Sequence, residues 1–386
     1  MNTTQTLVLS ALGMALFSSS LTTTKADPLD VWHSRNSGVT NAFNADAYGN
    51  GTFVVVGSQG TIVTSTDGVA WTRRTSGTAN DLNSMTFANG LFAIVGQSGT
   101  ILTSTNGTTW TLRSSGTTDF LYDVNYGNGL FVAISDTGTE LTSTDGATWN
   151  ARSSGTSGLY GVIYGNGKFI AVGGVLSCNF FFCNYNSLAY ASSDGLTWAP
   201  ASPGPAYLLS DIAFGSGMFV AVGDGGTIVT SSDGTSWATP NSGASELLLN
   251  VAYGHGTFAV VGAQHGGIYT STDSAPWTTR NSGTITGLFN IAYGKGTFLA
   301  VGDSGTILQS DPVAPPPILA LSQSANQLQF SWPVAAAGFS LQEAGDLIAS
   351  SWSSPPNQVA TIVGDQNVVT VPTPAGNRYY RLIGGP

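Results

Sequence analysis

The segment Ala47–Thr78 reads AYGNGTFVVVGSQGTIVTSTDGVAWTRRTSGT, and similar phrases recur before and after it in the chain. Each phrase contains or precedes one tryptophan that marks the period of the repeat. The marker tryptophans are Trp32, Trp71, Trp110, Trp149, Trp198, Trp237 and Trp277. Apart from a longer fourth interval they lie about 40 residues apart, and such a period with four short strands per copy is typical of a β-propeller. The repeat therefore predicts an all-β fold.

One copy of the repeat divides into four predicted strands. In the third copy the first three strands are Tyr122–Tyr126, Leu130–Ile134 and Thr139–Ser143, and the fourth begins at Trp149. Asn, Asp and Gly stand between the strands, and these residues tolerate the positive φ of tight turns. Apolar residues are dense in the first two strands, as expected when neighbouring sheets cover both of their faces.

The two ends of the repeat region complement each other. The aromatic residue before the first turn identifies seven copies: Tyr48, Phe87, Tyr126, Tyr164, Phe214, Tyr253 and Tyr293. The seventh copy stops after Thr306–Ser310, before its fourth strand, and would leave an unpaired edge. Val31–Gly38 precedes the first copy and matches Trp277–Gly283, a fourth-strand segment. We therefore predict a seven-bladed β-propeller whose last blade is completed by the N-terminal strand.

The composition divides the chain into four segments. Residues 1–26 are predicted to be a signal peptide with a short apolar run, Leu7–Phe17, the alternatives being an uncleaved anchor or a disordered tail. Residues 27–312 form the predicted propeller, and the Pro-rich residues 313–317 form a stiff linker. Residues 318–386 alternate like short strands and predict a small β-sandwich.

The balance of charges limits the classes of partner. Charged residues make up 8% of the chain, and its formal net charge is −10. An acidic chain without a basic cluster argues against nucleic acid and anionic lipid as partners. Beyond the predicted signal peptide, no segment is long and apolar enough to cross a membrane. We expect a secreted or periplasmic monomer that uses no cofactor.

The two cysteines stand close together in the fourth copy, at Cys178 and Cys183. The sequence around them, SCNFFFCNYN, supplies no further zinc ligands. In an exported protein we therefore predict a disulfide that closes a short loop, the alternative being two free thiols.

The turn before the marker tryptophan carries a family resemblance. The pattern S-x-D-G-x-x-W, as in Ser65–Trp71, resembles the Asp-box of BNR-type propellers but is one residue shorter. Together with the preceding VG-x-x-G-T-I, the repeat over residues 30–312 is most similar to the photosystem II assembly/stability-factor propellers and their bacterial secreted relatives. The C-terminal phrases FSWP, GFSLQ and YYRL are similar to fibronectin-III-like modules.

The resemblance implies that the aspartates of these turns are structural and cap backbone N–H groups. They are Asp67, Asp145, Asp194, Asp233 and Asp273, with Asn106 in the second copy. Calcium binding at the turns is the alternative. Sialidases share the turn, but the chain lacks their clustered arginines and their tyrosine–glutamate pair, and no paired carboxylates indicate another glycosidase. No catalytic residue and no metal site is therefore predicted.

The largest departure from the repeat is an insertion in the fourth copy, between its second and third strands. It contains Phe180, Phe181, Phe182 and Tyr185. In a propeller this connection lies on the same face as the connections between blades, which we call the loop-rich face. Exposed aromatic residues there would form a binding feature, whereas rings folded back over the fourth blade would not.

Polar residues in the first strands are a second departure. Asp46 stands where the other copies have Met or a branched aliphatic residue, so we expect a site residue or a structural hydrogen bond of its carboxylate at the closure. One position earlier, five copies have Ser84, Asp123, Asp211, Asn250 and Asn290. Facing the channel entrance, these residues would bind a sugar or a cation, or else bond neighbouring strands.

These features favour a secreted binding or scaffolding propeller that recognises a protein or a surface polysaccharide through its loop-rich face. One alternative is a divergent glycan-processing hydrolase. The other, implied by the resemblance alone, is an assembly factor for a membrane complex. A pocket with two carboxylates and an arginine cluster would favour the hydrolase, and a flat face around the aromatic insertion would favour binding.

Overall fold

The computed structural model describes residues 5–10, 27–135, 137–178, 183–201, 207–313, 319–324, 327–333, 339–344, 353, 360–363, 366–372 and 377–384. The chain divides into two compact units: unit 1 is Met1–Asp27 with Ala314–Pro386, and unit 2 is Pro28–Val313. Strands and turns make up nearly all of the described residues, which confirms the predicted all-β class. No helix among them is long and apolar enough to span a membrane.

Unit 2 contains seven antiparallel sheets within its described residues, numbered here along the chain. Sheet 1 consists of β3 (Phe43–Gly49), β4 (Thr52–Gly57), β5 (Thr61–Ser65) and β6 (Thr72–Arg74), and sheet 2 consists of β7 (Leu82–Ala88), β8 (Leu91–Gly96), β9 (Ile101–Ser104) and β10 (Thr111–Arg113). Sheet 3 consists of β11 (Leu121–Gly127), β12 (Leu130–Ser135), β13 (Thr139–Ser143) and β14 (Asn150–Ser153), and sheet 4 consists of β15 (Leu159–Gly165), β16 (Lys168–Cys178), β17 (Cys183–Ser192) and β18 (Ala199–Ala201). Sheet 5 consists of β19 (Leu209–Gly215), β20 (Met218–Gly223) and β21 (Ile228–Ser231). Sheet 6 consists of β22 (Leu248–Gly254), β23 (Thr257–Gly262), β24 (Ile268–Ser271) and β25 (Thr278–Arg280). Sheet 7 consists of β26 (Leu288–Gly294), β27 (Thr297–Gly302) and β28 (Thr306–Ser310), together with β2 (Trp32–Asn36) from the N-terminal side. Short 3₁₀ turns occur at Pro28–Asp30, Ser58–Gly60, Gln97–Gly99, Asp224–Gly226 and Asp303–Gly305.

The first strands of the seven sheets contact one another in chain order. β3 contacts β7, the series continues through β11, β15, β19 and β22 to β26, and β26 contacts β3 again. Consecutive sheets enclose separate apolar clusters between them, so each sheet is covered on both faces. This explains why the first two strands of each copy are apolar on both sides.

An aromatic residue packed on a glycine brings neighbouring first strands together. Tyr48 stacks on Phe53 within sheet 1, with ring centroids 4.7 Å apart. The same tyrosine lies against Gly294 of sheet 7, where any Cβ would overlap its side chain. The pair recurs between sheets 3 and 4, where Tyr164 lies against Gly127. The repeated glycine at the end of the first strand thus allows this close approach of the next sheet, while sheet 2 has Ala88 at the same position, packed beside Tyr126.

β2 forms the outer edge of sheet 7. It pairs antiparallel with β28, beginning with Trp32 opposite Ser310. The Trp32 indole N–H donates to the Leu29 carbonyl oxygen at 2.9 Å. Leu29 is 1% exposed and belongs to a buried cluster that includes Val313. The two ends of unit 2 thus share one sheet and one apolar cluster.

The aspartate turns are capped by their own side chains. The N–H groups of Leu196 and Thr197 each donate to Asp194 Oδ1 at 2.8 Å. These bonds lower the pKa of Asp194 to about 2. Equivalent pairs of bonds are made by Asp67, Asn106, Asp145 and Asp233. At Asp273 the expected cap is wrong: no such bond forms among the described residues, and Pro276 removes one of the two N–H groups that the other turns use.

We expect Asp194→Ala to lower the free energy of unfolding at neutral pH by about 1 kcal/mol, because two N–H groups lose their acceptor. Asp194→Asn should keep most of that stability, since Asn106 makes the same bonds. Asp273→Ala is the matched control and should lower the free energy of unfolding by less than Asp194→Ala does. The folded-state pKa of Asp194 is lowered, so its ionised form stabilises the fold above the unfolded-state pKa, and this is lost as the pH falls towards about 2. Equal losses for the two alanine variants in urea unfolding would contradict the capping role.

The insertion of the fourth copy lengthens the hairpin of sheet 4. β16 and β17 pair as far as Cys178 opposite Cys183. This register is compatible with the predicted disulfide, which stays a prediction because the side chains of both cysteines lie outside the described part of the chain. Phe180, Phe181 and Phe182 also lie outside the described residues. Tyr185 is in β17, but its side chain is not described.

Unit 1 contains two antiparallel sheets within its described residues, ordered β29–β30–β33–β32 and β1–β34–β31. The strands are β1 (Gln5–Ser10), β29 (Ala320–Ser324), β30 (Gln327–Pro333), β31 (Phe339–Ala344), β32 (Thr361–Val363), β33 (Gln366–Pro372) and β34 (Asn377–Gly384). Their common core is Leu319, Leu328, Phe330, Trp332, Leu341, Val369, Val371 and Tyr380. β1 comes from the predicted signal peptide and pairs with β34.

Candidate functional site

A cavity of 890 Å³ lies where the first strands of unit 2 meet. Residues of β3, β7, β11, β15, β19, β22 and β26 all contribute to its wall. The cavity extends to Ser58, between the second and third strands of sheet 1, and to Asp81, between sheets 1 and 2. Both connections belong to the loop-rich face, so the cavity has its mouth there.

Polar side chains form one level of the cavity wall. The equivalent residues of sheets 1 to 7 are Ala45, Ser84, Asp123, Gly161, Asp211, Asn250 and Asn290. In each first strand the pairing register shifts just before this residue, as between Leu121 and Asp123. Such a bulge changes the direction of a side chain, and two successive residues then line the cavity, as Tyr122 and Asp123 do.

These polar side chains hydrogen-bond from one sheet to the next. Ser84 Oγ donates to Asp123 Oδ1 at 2.5 Å, and the Val162 N–H donates to Asp123 Oδ2 at 2.7 Å. Asp211 Oδ2 accepts from Asn250 Nδ2 at 2.7 Å. The series continues with the Ile291 N–H to Asn250 Oδ1 at 3.0 Å and the Asp46 N–H to Asn290 Oδ1 at 3.1 Å. The bonds between neighbouring strands that the sequence suggested are therefore present.

Asp123 and Asp211 form a carboxylate pair across sheet 4. The residue between them is Gly161, and a Cβ there would lie 3.1 Å from Asp211 Oδ1. The glycine thus leaves room for the Asp211 side chain. Burial raises the pKa of both carboxyls, and the charge of Asp123 raises the pKa of Asp211 further. Among the described residues that line the cavity there is no Lys, Arg or His to offset these charges.

Asp46 is the polar member of an otherwise apolar level of the wall. Its equivalents in sheets 2 to 7 are Met85, Val124, Val162, Ile212, Val251 and Ile291. Asp46 is 5% exposed, and neither of its carboxylate oxygens has a hydrogen-bond partner in the described part of the chain. The expected hydrogen bond of this carboxylate is therefore wrong. Burial raises the pKa of Asp46 well above its usual value.

The mouth of the cavity has an aromatic side. The ring centroids of Phe120 and Tyr122 are 4.7 Å apart, and those of Tyr122 and Tyr160 are 4.9 Å apart in an edge-to-face contact. We call these three residues the aromatic arc. Tyr122 precedes Asp123 and Tyr160 precedes Gly161, so the arc stands beside the carboxylate pair. The residues equivalent to Tyr122 in sheets 1, 2, 5, 6 and 7 are Asn44, Asn83, Ser210, Leu249 and Phe289.

Of the residues singled out from the sequence, Asp46, Asp123, Asp211, Asn250 and Asn290 line this cavity together. Sequence reasoning missed the aromatic arc. The signal was available one position before the polar residues, where the copies change from amides to aromatic and aliphatic residues.

Carboxylates of the loop-rich face mainly brace the loops. Asp81 Oδ1 accepts the Gln59 N–H at 2.8 Å. Glu246 accepts the Gln264 N–H at 2.8 Å and the Tyr269 hydroxyl at 2.9 Å. Within the described residues, no group of three or more His, Cys, Asp or Glu is arranged to hold a metal ion.

Solved structures with a similar fold are β-propellers. YCF48 from Cyanidioschyzon merolae is 16% identical, with a TM-score of 0.56 over 72% of this chain and 98% of that one. YCF48 bound to D1 peptide is 18% identical, with a TM-score of 0.59 over 74% of this chain and 97% of that one. A catalytically inactive virginiamycin B lyase from Staphylococcus aureus with quinupristin is 11% identical, with a TM-score of 0.61 over 72% of this chain and 98% of that one.

No protein-family model matches the chain, and no curated protein matches it either. The structural likeness, at these identities, is a likeness of fold. Unit 2 is thus a β-propeller with a fold similar to that of YCF48, which agrees with the propeller resemblance noted in the repeat.

Proposed function

We propose that this protein is a secreted or periplasmic binding propeller that holds a polypeptide segment of a protein partner in the cavity of its loop-rich face. The observation that carries the proposal is the cavity itself, whose wall combines the aromatic arc with the amides of Asn44 and Asn83. Ligand sites combine apolar walls with a few oriented polar groups in this way. Aromatic anchors also account for much of the binding energy at protein interfaces.

The connections around the cavity support a protein partner. Tyr207 is 47% exposed and Ile285 is 85% exposed, and both precede first strands on the loop-rich face. Val175, in the lengthened hairpin of the same face, is 38% exposed. A large partner would cover these apolar side chains, whereas a small ligand confined to the cavity would not.

The structural likeness adds a second line of support. YCF48 has been solved bound to D1 peptide, so a propeller of similar fold binds a polypeptide. An assembly factor for a membrane complex is accordingly the second candidate function of this chain. A surface polysaccharide and a divergent glycan-processing hydrolase are the remaining candidates, and the absence of basic residues among the described lining residues counts against the hydrolase.

The proposed architecture is a seven-bladed β-propeller over residues 27–312, a linker over 313–317 and a small β-sandwich over 318–386. The pairing of β2 with β28 and the contact of β26 with β3 support closure by the N-terminal strand. The two sheets of unit 1 and their common core support the sandwich. Residues 1–26 are proposed to be a cleaved signal peptide, so the mature chain would lack β1.

The proposal is tested by peptide selection on the mature protein, followed by affinity measurements on variants of the arc. We expect Tyr122→Ala and Tyr160→Ala each to lower the affinity for the selected peptides roughly tenfold or more, the loss typical of an aromatic anchor. Leu112→Ala is the matched control, because Leu112 is 60% exposed on β10, the outer strand of sheet 2. Replacing residues 175–186 with the short turn of the first copy tests the insertion separately.

The outcomes separate the candidate functions. Peptides that bind the arc variants with the same affinity as the parent protein would overturn the proposed site. Binding on a glycan array without peptide binding would favour the polysaccharide. Turnover of a fluorogenic sialoside that is lost in Asp46→Asn or Asp123→Asn would establish the hydrolase instead.

A further inference from the structure

The charge of the cavity is one-sided. Four carboxylates contribute to its wall: Asp46, Asp81, Asp123 and Asp211. None of the described lining residues is basic. A low-dielectric cavity lined by one sign of charge concentrates ligands of the opposite sign. Asp81 lies in the connection before β7, whereas Asp46, Asp123 and Asp211 stand on the first strands themselves, so these three residues matter most for a group bound inside the cavity.

Asp46 is an independent indication that a charge is missing from this cavity. It is buried among apolar residues of the wall, and its two carboxylate oxygens have no partner in the described part of the chain. The other copies place Met, Val or Ile at this position, so the fold does not require a carboxylate there. A buried carboxyl without a partner is costly unless a ligand supplies the opposite charge.

The surroundings of the carboxylate pair fit an organic cation with an aliphatic stem. The aromatic arc stands directly beside Asp123 and Asp211, and aromatic faces attract ammonium and guanidinium groups. A metal ion is less suitable, since no metal-binding group of three ligands occurs among the described residues.

We propose that the Asp123–Asp211 pair, beside the aromatic arc, binds the cationic end of a lysine or arginine side chain of the polypeptide partner. This inference rests on the proposed function and adds to it a requirement on the partner's sequence. The two carboxylates supply charge-assisted hydrogen bonds to the head group. Tyr122 and Tyr160 enclose its stem, and Gly161 leaves the room that the Asp211 side chain occupies beside them.

Binding of such a side chain is coupled to ionisation of the pair. The titratable groups around it are Tyr122 on β11, Tyr160 on β15, Tyr253 on β22, Asp46 on β3 and Asp81 in the connection between sheets 1 and 2. Burial raises the pKa of both Asp123 and Asp211, so protons compete with the cation for the pair. The affinity for a basic peptide should therefore rise with pH in the acidic range and level off once both carboxyls are ionised.

The test compares three probes on the mature full-length protein: a selected peptide, its variant with norleucine in place of each basic residue, and calcium chloride. We expect norleucine to weaken binding roughly tenfold or more, the usual effect of losing one charge-assisted contact. Asp123→Asn and Asp211→Asn should produce the same loss for the basic peptide and none for the norleucine peptide. Asp303→Asn is the matched control, since it removes a carboxylate of the loop-rich face that is outside the cavity lining, and it should leave the affinity for both peptides nearly unchanged.

Each result decides the proposal. Equal affinities of the basic and norleucine peptides for the parent protein would overturn it, while binding that still depends on Tyr122 would leave the proposed function intact. This comparison needs no variant, so it stands even where a substitution impairs folding. Saturable binding of calcium in place of the peptide would also overturn it, in favour of a metal. Failure of peptides of every charge to bind would count against the proposed function itself.

Discussion

Deletion of residues 28–38 is expected to abolish the cooperative unfolding of unit 2, or to make the protein aggregate. These residues contain Leu29 and β2. Without them β28 would present an unpaired edge, and exposed edges of this kind promote association between chains. The cluster that Leu29 shares with Val313 would also be exposed. The effect should reach the whole ring, because each sheet of a propeller is held by its two neighbours.

The contacts of this segment are specific as well as apolar. Ser37 Oγ donates to the Gly305 carbonyl oxygen at 2.9 Å, and Arg35 Nε donates to Gln309 Oε1 at 3.0 Å. The first of these bonds is buried. Together with the strand pairing they connect residues at opposite ends of unit 2. Deletion would therefore remove both the strand pairing and the side-chain bonds that join the two ends.

Point variants control for the length of the deletion. Leu29→Ala should cost about 2–5 kcal/mol, as expected for a fully buried leucine. His33→Ala should be nearly neutral, because the His33–Asp311 pair is at the surface, with both side chains 42% exposed. Calorimetry or urea unfolding measures the stabilities of the deletion variant and of the two point variants. A deletion variant that melts like the parent would show that β2 is not part of the ring.

The sequence predicted those parts of the fold that repeat. The period, the strand order within a copy and the complementary ends follow from residues that recur at fixed spacing, and sheet 7 pairs β2 with β28 as the ends suggested. Single departures were harder to interpret. Asp273 stands in a turn like its counterparts but makes no such pair of bonds among the described residues, and one of the two donors is lost to Pro276 three positions later.

The candidate site was predicted in part, for a physical reason. The polar residues of the first strands were visible because they interrupt apolar strands. The aromatic arc was not, since Tyr122 and Tyr160 are ordinary strand residues by composition. Only the bulge in each first strand, which brings two successive residues to the cavity, makes them lining residues. Strand alternation alone assigns one of the two to the opposite face.

Replacement of Asp46 by Val, the residue at the equivalent position of three other sheets, is expected to stabilise the protein at neutral pH. The free energy of unfolding should rise by about 1–3 kcal/mol, the cost of burying a polar group without a partner. The Asp46 backbone N–H would keep its bond to Asn290. The same variant removes one of the cavity's carboxylates. If the site serves binding at the expense of stability, the protein should become more stable while its cavity becomes less acidic.

The pH dependence identifies the cause of that stabilisation. The folded-state pKa of Asp46 is raised, so the folded protein binds its proton more tightly than the unfolded chain does. Stability is therefore lost as the pH rises above the unfolded-state pKa and through the folded-state pKa. The advantage of Asp46→Val over the parent should grow as the pH rises above the unfolded-state pKa of about 4, and it should level off above the raised folded-state pKa. Because Asp123 and Asp211 titrate in both proteins, the difference between the two unfolding curves isolates Asp46.

Asp46→Asn provides the control. Its amide cannot ionise, so its stability relative to Asp46→Val should not vary with pH, although an unpaired amide would still be buried. Urea unfolding of the three proteins at acidic and at weakly alkaline pH measures these differences. A parent more stable than Asp46→Val at weakly alkaline pH would mean that the ionised Asp46 carboxylate has a stabilising partner. In that case the charge of this cavity is already balanced, and it would not require a cation from a ligand.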